Sequence, residues 1–228
     1  MSAPRPAAEG RLDARPTAAP SGDPFPPGVH DLELGGAAAA LVVPPGDPVA
    51  RPLLVFFHGA GGTAQQSLAA VADLASAAGV AVLATTSVGR SWDLVVGGLG
   101  RDVAVLDAAL EQVAGRLPVS RTAVGGFSDG ASYALSLGLA NGDLCDAVLA
   151  FSPGFAAPPG RVGAPAVWIC HGAQDRVLPV DRCGRRVSRQ LLAAGHPVTY
   201  EEFDGGHVIT PDHVRGALAW WLAGPAPR

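Results

Sequence analysis

Ser128 stands in G-F-S-D-G, residues 126–130, directly after the apolar stretch R-T-A-V-G-G (121–126) and directly before A-S-Y-A-L-S-L-G-L-A (131–140), whose composition suits a helix. A serine between a strand and a helix, with glycine two residues to either side, sits on a sharp turn. The turn strains its backbone and lifts its hydroxyl out of the sheet. The chemistry of that arrangement is nucleophilic attack. The serine needs a base, and the base needs a carboxylate to fix its tautomer. The helix that follows offers free N–H groups, that of Asp129 among them, to a developing oxyanion. The plainer reading is an ordinary strand–helix turn with Ser128 as helix N-cap, so the partners elsewhere in the chain decide.

Those partners must lie at the carboxyl ends of parallel strands, where ligands of open α/β sheets are bound. Glycine-bearing loops fall there at His58 to Gly62, Thr85 to Gly100, His171 to Asp175 and Asp204 to His207. Among the histidines, His196 lies at a helix-to-strand turn on the opposite edge, His30 in an N-terminal hairpin and His213 inside the last helix. His58 and His171 each precede a glycine at a strand end, which suits hydrogen bonding that shapes the loop. His207 follows the last strand after two glycines, whose freedom lets its imidazole reach Ser128, and it is the expected base. Asp175 follows a strand end between Ser128 and His207 and is the expected acid, with Asp181 as the alternative. Asp204 is too close to His207 in sequence, and Asp146 precedes its strand. The order Ser128, Asp175, His207 is that of serine hydrolases with a G-x-S-x-G elbow. The second oxyanion donor is expected from the His58–Gly62 loop, at the Ala60 amide or alternatively at Gly61. A phosphate-binding loop is the competing reading of those glycines, but the lysine of that motif is missing. No His, Cys, Asp or Glu cluster has metal-ligand spacing, and nothing calls for a cofactor.

The elements that must hold these residues are readable in order. V-H-D-L-E-L (29–34), the turn Gly35-Gly36 and residues 37–43 form a β-hairpin. R-P-L-L-V-F-F (51–57) is a continuous apolar run, as a strand covered on both faces should be. Thr63 caps a helix that carries Leu68, Val71, Ala72 and Ala75 on one face. Val80 to Ala84 is a second buried strand, and a helix with Val103, Leu106, Leu110, Val113 and Leu117 on one stripe ends at Pro118. Ala147 to Phe151 and Pro165 to Cys170 are strands joined by a short Pro/Gly-rich loop. Pro179 opens a helix to about Ala194, Val198 to Phe203 is the last strand, and Pro211 to Leu222 closes the chain. Strands alternating with helices of this length mean a mostly parallel sheet with helices on both faces. Residues 1–27, rich in Pro, Ala, Gly and Arg, read as a disordered or loosely attached tail, leaving one domain over residues 28–224.

Composition narrows the function. Hydrophobic residues make up 48% of the 228, enough for a large core. The net charge of −4 and pI of 5.8 argue against nucleic acid as partner. No run of ~18 apolar residues is long enough for a membrane span. All 16 basic residues are arginine, which together with abundant alanine suggests a GC-rich genome. The 3 cysteines, without metal spacing, read as reduced buried thiols in a reducing, cytoplasmic compartment.

F-F-H-G-A-G-G (56–62), G-G-F-S-D-G (125–130), H-G-A-Q-D-R-V-L-P (171–179) and G-G-H-V-I (205–209) make the chain from about Arg51 onward resemble an α/β-hydrolase of the phospholipase/carboxylesterase group, which includes acyl-protein thioesterase-like esterases. The resemblance implies Ser128 as nucleophile, Asp175 and His207 as its partners, and the amides of Ala60 and Asp129 as oxyanion hole. Residue 129 is Asp where Gln, Met or Ala is commoner. The expected protein is a single-domain, lidless α/β-hydrolase acting on a small-molecule ester. Thioesterase and polyester- or feruloyl-type esterase are alternatives on the same residues, and a catalytically silent binding fold is an alternative of another class. Trp92 is read either as a wall of the substrate pocket or as core packing.

Overall fold

The computed structural model of the protein describes residues 5–97 and 100–224. Its elements in chain order are α1 (Arg5–Ala8), β1 (Gly28–Leu34), β2 (Ala37–Val43), β3 (Arg51–Phe57), α2 (Ala64–Ala77), β4 (Ala81–Thr85), α3 (Asp93–Val96), α4 (Arg101–Arg116), β5 (Val119–Phe127), α5 (Asp129–Ala140), β6 (Ala147–Phe151), β7 (Ala166–Gly172), α6 (Gly184–Ala193), β8 (Val198–Phe203) and α7 (Pro211–Ala223). The strands form one 8-stranded sheet in the order β1-β2-β4-β3-β5-β6-β7-β8. β1 pairs antiparallel with β2, and β2 with β4; every later pairing is parallel.

Period-2 alternation sorts the central strands between two cores. Leu53, Val55 and Phe57 of β3 face a core closed by α4, α5 and α6, while Leu54 and Phe56 face one closed by α2 and α7. α2 begins as its sequence suggests. The Thr63 hydroxyl accepts from the Gln66 amide at 3.3 Å, and the Gln66 side chain accepts from the Thr63 amide at 3.0 Å, a reciprocal capping box. α5 lies so near the sheet that a Cβ on Gly138 would fall 2.9 Å from Val124 Cγ2. That close seating fixes the height of the helix whose first turn follows Ser128.

Two elements differ from the sequence reading. Residues 180–183 are turns and α6 starts at Gly184, not at Pro179. The amides of Arg182 and Cys183 both return to the Pro179 carbonyl, at 3.0 and 3.1 Å, but Cys183 at φ −120°, ψ −97° leaves helical geometry, so the turn opened at Pro179 is not continued and the helix starts afresh at Gly184. The second difference lies in residues 5–27, the described part of the expected loose tail; residues 1–4 lie outside the described residues. Leu12 is 1% exposed and Phe25 8%. The Leu12 amide donates to Asn141 Oδ1 at 2.9 Å, and the amides of Asp13 and Ala14 donate to Asp107 Oδ1 at 2.8 and 2.9 Å. Arg11 and Arg15 both pair with Asp143, at 2.8 and 2.9 Å, and the Arg11 hydrogen bond holds that carboxyl down at about 2. The segment has too little apolar surface for a core of its own. It adds a few anchors to a core built by other elements, which composition cannot reveal.

Leu12→Ala should therefore lower the unfolding free energy by about 2–4 kcal/mol, the range for a buried leucine truncated to alanine. Urea titration of the two proteins measures it, and an unchanged midpoint would mean that the segment lies loosely on the surface after all.

Candidate active site

The turn between β5 and α5 places Ser128 at φ 59°, ψ −119°, a left-handed conformation that a residue with a side chain adopts only under constraint. The constraint is visible. The Ser128 amide donates to the Phe151 carbonyl at the end of β6 at 2.9 Å, and the amides of Ala131 and Ser132 return to the Ser128 carbonyl at 3.0 and 3.1 Å. The glycines of the pentapeptide are sterically required. A Cβ on Gly126 would fall on the Gly130 backbone, and a Cβ on Gly130 would fall on the carbonyl oxygens of Phe57 and His58.

His207, on the loop between β8 and α7, brings Nε2 to 2.9 Å from Ser128 Oγ and Nδ1 to 2.6 Å from Asp175 Oδ2. A carboxylate can only accept, so Nδ1 carries the proton and Nε2 is left to accept from the serine hydroxyl. The three sequence-selected side chains thus form one line. Asp175 is buried at the end of the β7 loop. Burial pushes its carboxyl up, but the hydrogen bond from His207 and the amides of Leu178 and Val177 outweigh it and hold the group below its ordinary value. Asp181, the alternative acid, lies on the surface and pairs with Arg185 at 2.8 Å, away from this line.

The His58–Gly62 loop meets the elbow from the β3 side, where a Cβ on Gly59 would lie 3.5 Å from Ser128 Cβ. His58 Nδ1–H donates to the Gly59 carbonyl at 2.7 Å, and Nε2 accepts the Ser87 amide at 3.0 Å. Burial lowers the His58 pKa, and the Gly59 carbonyl and Asp129 only partly offset it, so the ring is neutral and shapes the loop. The Gly61 amide is occupied by the Arg90 carbonyl at 2.7 Å, which removes the alternative to Ala60. The Asp129 carboxylate accepts from Ser91 Oγ at 2.6 Å, so it is turned to the β4–α4 loop and not to His207. Trp92 is 1% exposed; its ring stacks on Tyr133 at 4.7 Å and its Nε1 donates to the His58 carbonyl at 2.9 Å. It is a core residue that braces the loop from behind, and the pocket-wall reading is corrected. Residues 98 and 99 of the same loop lie outside the described residues.

Two clefts lie in this region. One of about 420 Å³ is lined by Gln174, Arg176, Val177, Gly206 and His207, and one of about 280 Å³ runs past Phe56, Gly59, Ala60, Phe127 and Ile209. Sequence reasoning did not single out Arg176 or Phe127. Phe127 is the variable residue before the serine, and its ring packs on His207 at 4.8 Å. The link between β6 and β7, residues 152–165, contains no helix and runs down α5. The amide of Gly154 donates to Ser132 Oγ, and that of Ala157 to Ser136 Oγ, each at 2.9 Å. The thiols of Cys145 and Cys170 are buried, and burial pushes both up to about 12, so neither competes with Ser128 as a nucleophile.

A mostly parallel sheet with its strained serine turn at a strand–helix junction is the α/β-hydrolase fold. The phospholipase/carboxylesterase family profile matches residues 103–220, more than half of the chain, and the chain belongs to that family. Among solved structures it is similar to esterase PE8, at 25% identity and TM-score 0.62 over 76% of this chain and 93% of that one. It is also similar to Est1E from Butyrivibrio proteoclasticus, at 17% and 0.66 over 86% and 98%, and to acyl-protein thioesterase 2 from Zea mays, at 16% and 0.60 over 81% and 97%. No curated protein sequence matches it. Family and fold together indicate an esterase-type hydrolase. No helix among the described residues is long and apolar enough to cross a membrane.

Gly130→Ala should abolish ester hydrolysis and lower the melting temperature sharply, because the new methyl has no room between two carbonyl oxygens. Gly216→Ala, where nothing lies within 4 Å of the added carbon, is the control and should be neutral or slightly stabilising. Equal behaviour of the two variants in a thermal melt would refute the close-approach argument.

Proposed function

We propose that the chain is a serine carboxylesterase that hydrolyses short-chain carboxylic esters through an acyl-enzyme intermediate. The observation that carries this is the continuous hydrogen-bonded line Ser128–His207–Asp175, 2.9 and 2.6 Å long, on a strained elbow. Ser128 Oγ attacks the ester carbonyl as His207 Nε2 takes its proton. The oxyanion that forms is met by the amides of Ala60 and Asp129. His207 returns the proton to the departing alcohol, and water then repeats the sequence on the acyl-serine. Asp175 keeps the proton on Nδ1 and stabilises the imidazolium. The substrate is a small-molecule ester, and the scheme needs no cofactor.

Ser128→Ala should reduce kcat/KM on p-nitrophenyl acetate by several orders of magnitude with an unchanged melt, and should end labelling by a fluorophosphonate probe. Asp175→Asn should cost much of the rate through the wrong His207 tautomer, while Asp181→Asn should cost less than about twofold. A Ser128→Ala enzyme retaining more than a tenth of its activity would sink the assignment.

Substrate length follows from the β6–β7 link. Lying along α5, it forms no lid, so little apolar surface is available to cover a long acyl chain, at ~0.8 kcal/mol per buried methylene. Across C2 to C16 p-nitrophenyl esters, kcat/KM should peak at about two to six carbons, without activation at a lipid interface. A peak at twelve carbons or longer would overturn the short-chain reading while leaving the esterase assignment intact.

A further inference from the structure

We infer that His171 is a positioning residue for the Asp175 carboxylate, acting through the carbonyl of Leu178, the residue whose amide holds that carboxylate. This rests on the esterase reading above. His171, the penultimate residue of β7, is fully buried. Its Nε2 lies 2.8 Å from the Leu178 carbonyl and 3.3 Å from Asp175 Oδ2. The carbonyl can only accept, so Nε2 carries a proton and donates it to Leu178, with the carboxylate in close contact beside that N–H. Asp175 Oδ1 is held by the amides of Val177 and Leu178 and Oδ2 by His207, so His171 anchors the same residue, Leu178, whose amide holds the carboxylate.

The ring is built to stay in that state. Burial lowers the His171 pKa, against smaller opposing effects of the Leu178 carbonyl and Asp175, so the imidazole is neutral and keeps its single proton on Nε2. Nδ1 is buried and has no hydrogen-bond partner. It rests against the backbone of Gly184, where a Cβ would come within 2.6 Å. Leaving a ring nitrogen unpaired is unfavourable, and a phenylalanine would avoid it, so the useful atom is Nε2. The other ionisable groups around the pair are His207, Glu202 on β8 and Cys183. Glu202 is engaged by Arg185 at 2.6 Å. The Leu178 anchor, with the neutral ring in contact with Oδ2, fixes the plane in which the carboxylate meets His207 without adding a cation.

His171→Phe removes the donor. It should lower kcat about tenfold with KM little changed, as loss of the hydrogen bond that places the carboxylate implies, and should move the acid limb of the kcat/KM–pH profile to lower pH, because a displaced carboxylate stabilises an imidazolium less. His171→Gln, whose amide nitrogen falls near the Nε2 position, should restore most of both. Gly184→Ala keeps the imidazole in the protein but pushes it off its seat, and should reproduce the His171→Phe profile although alanine suits the first turn of a helix. Asp175→Asn is run beside them. If Asp175→Asn is inactive while His171→Phe and Gly184→Ala keep kcat and the acid limb within twofold of wild type, this inference fails and the esterase reading stands. If Asp175→Asn is active, the triad reading itself fails. If thermal melts show that the His171 and Gly184 variants all fail to fold, His171 serves folding alone and the inference is overturned.

Discussion

A serine at φ 59° carries a backbone strain of about 1–3 kcal/mol, and the molecule is arranged so that no relaxed alternative exists at Ser128. β5 is flanked on both sides by parallel partners, β3 and β6, which fix its end. α5 is pressed onto the sheet along its length, with Gly138 against Val124 and Val148. Strand and helix are joined with one residue between them, so that residue must make the whole turn. Gly126 and Gly130 let the two backbones cross where any Cβ would collide. The hydroxyl is thereby set at the strand ends without depending on a flexible loop, which is the kind of rigid support an active-site group requires.

The same residue type acts in three ways around that turn, and environment decides which. Burial keeps His58 and His171 neutral, and in each a backbone carbonyl fixes the tautomer. Neither ring has room to gain a proton and pass it on. His207 has a carboxylate on Nδ1, the serine hydroxyl on Nε2 and a side chain 14% exposed beside a cleft. It is the imidazole that joins a hydroxyl to a carboxylate.

Much of this was legible because the site is written in local sequence. Each strand end carries its functional residue within a few positions of a glycine, and strand–helix alternation fixes which ends converge. Ser128, Asp175 and His207 could therefore be brought together on paper before any distance was known. What was not legible depends on contacts distant in sequence. Leu12 looks like one apolar residue in a polar tail until Asn141, 129 positions away, is seen holding its amide. Trp92 looks like a pocket aromatic until Tyr133 is found stacked on it. Pro179 is a sound helix-start signal, but the single turn it opens breaks at Cys183, whose φ −120° and ψ −97° are not helical, and the helix waits until Gly184.

The loop between β4 and α4 shows how far the support of the site extends. It delivers the Arg90 carbonyl to Gly61 and the Ser91 hydroxyl to Asp129, so the His58–Gly62 loop can be no better placed than this segment. Aspartates hold it. Asp102 takes the Val88 amide on Oδ1 and the Asp93 amide on Oδ2, both at 2.7 Å. Asp93 takes the Leu94 amide on Oδ1, and those of Gly100 and Asp102 on Oδ2, at 2.8 to 3.0 Å. Burial pushes both carboxyls up, and for Asp93 the nearby Asp102 adds to the effect. Their charge therefore works against the fold, and an uncharged side chain would avoid that penalty. Asparagine cannot replace them, however. It offers one acceptor oxygen and turns a donor toward the amides on the other side. Only a carboxylate accepts on both oxygens at once, so the demand of the loop's amides for acceptors outweighs the cost of two neighbouring acids.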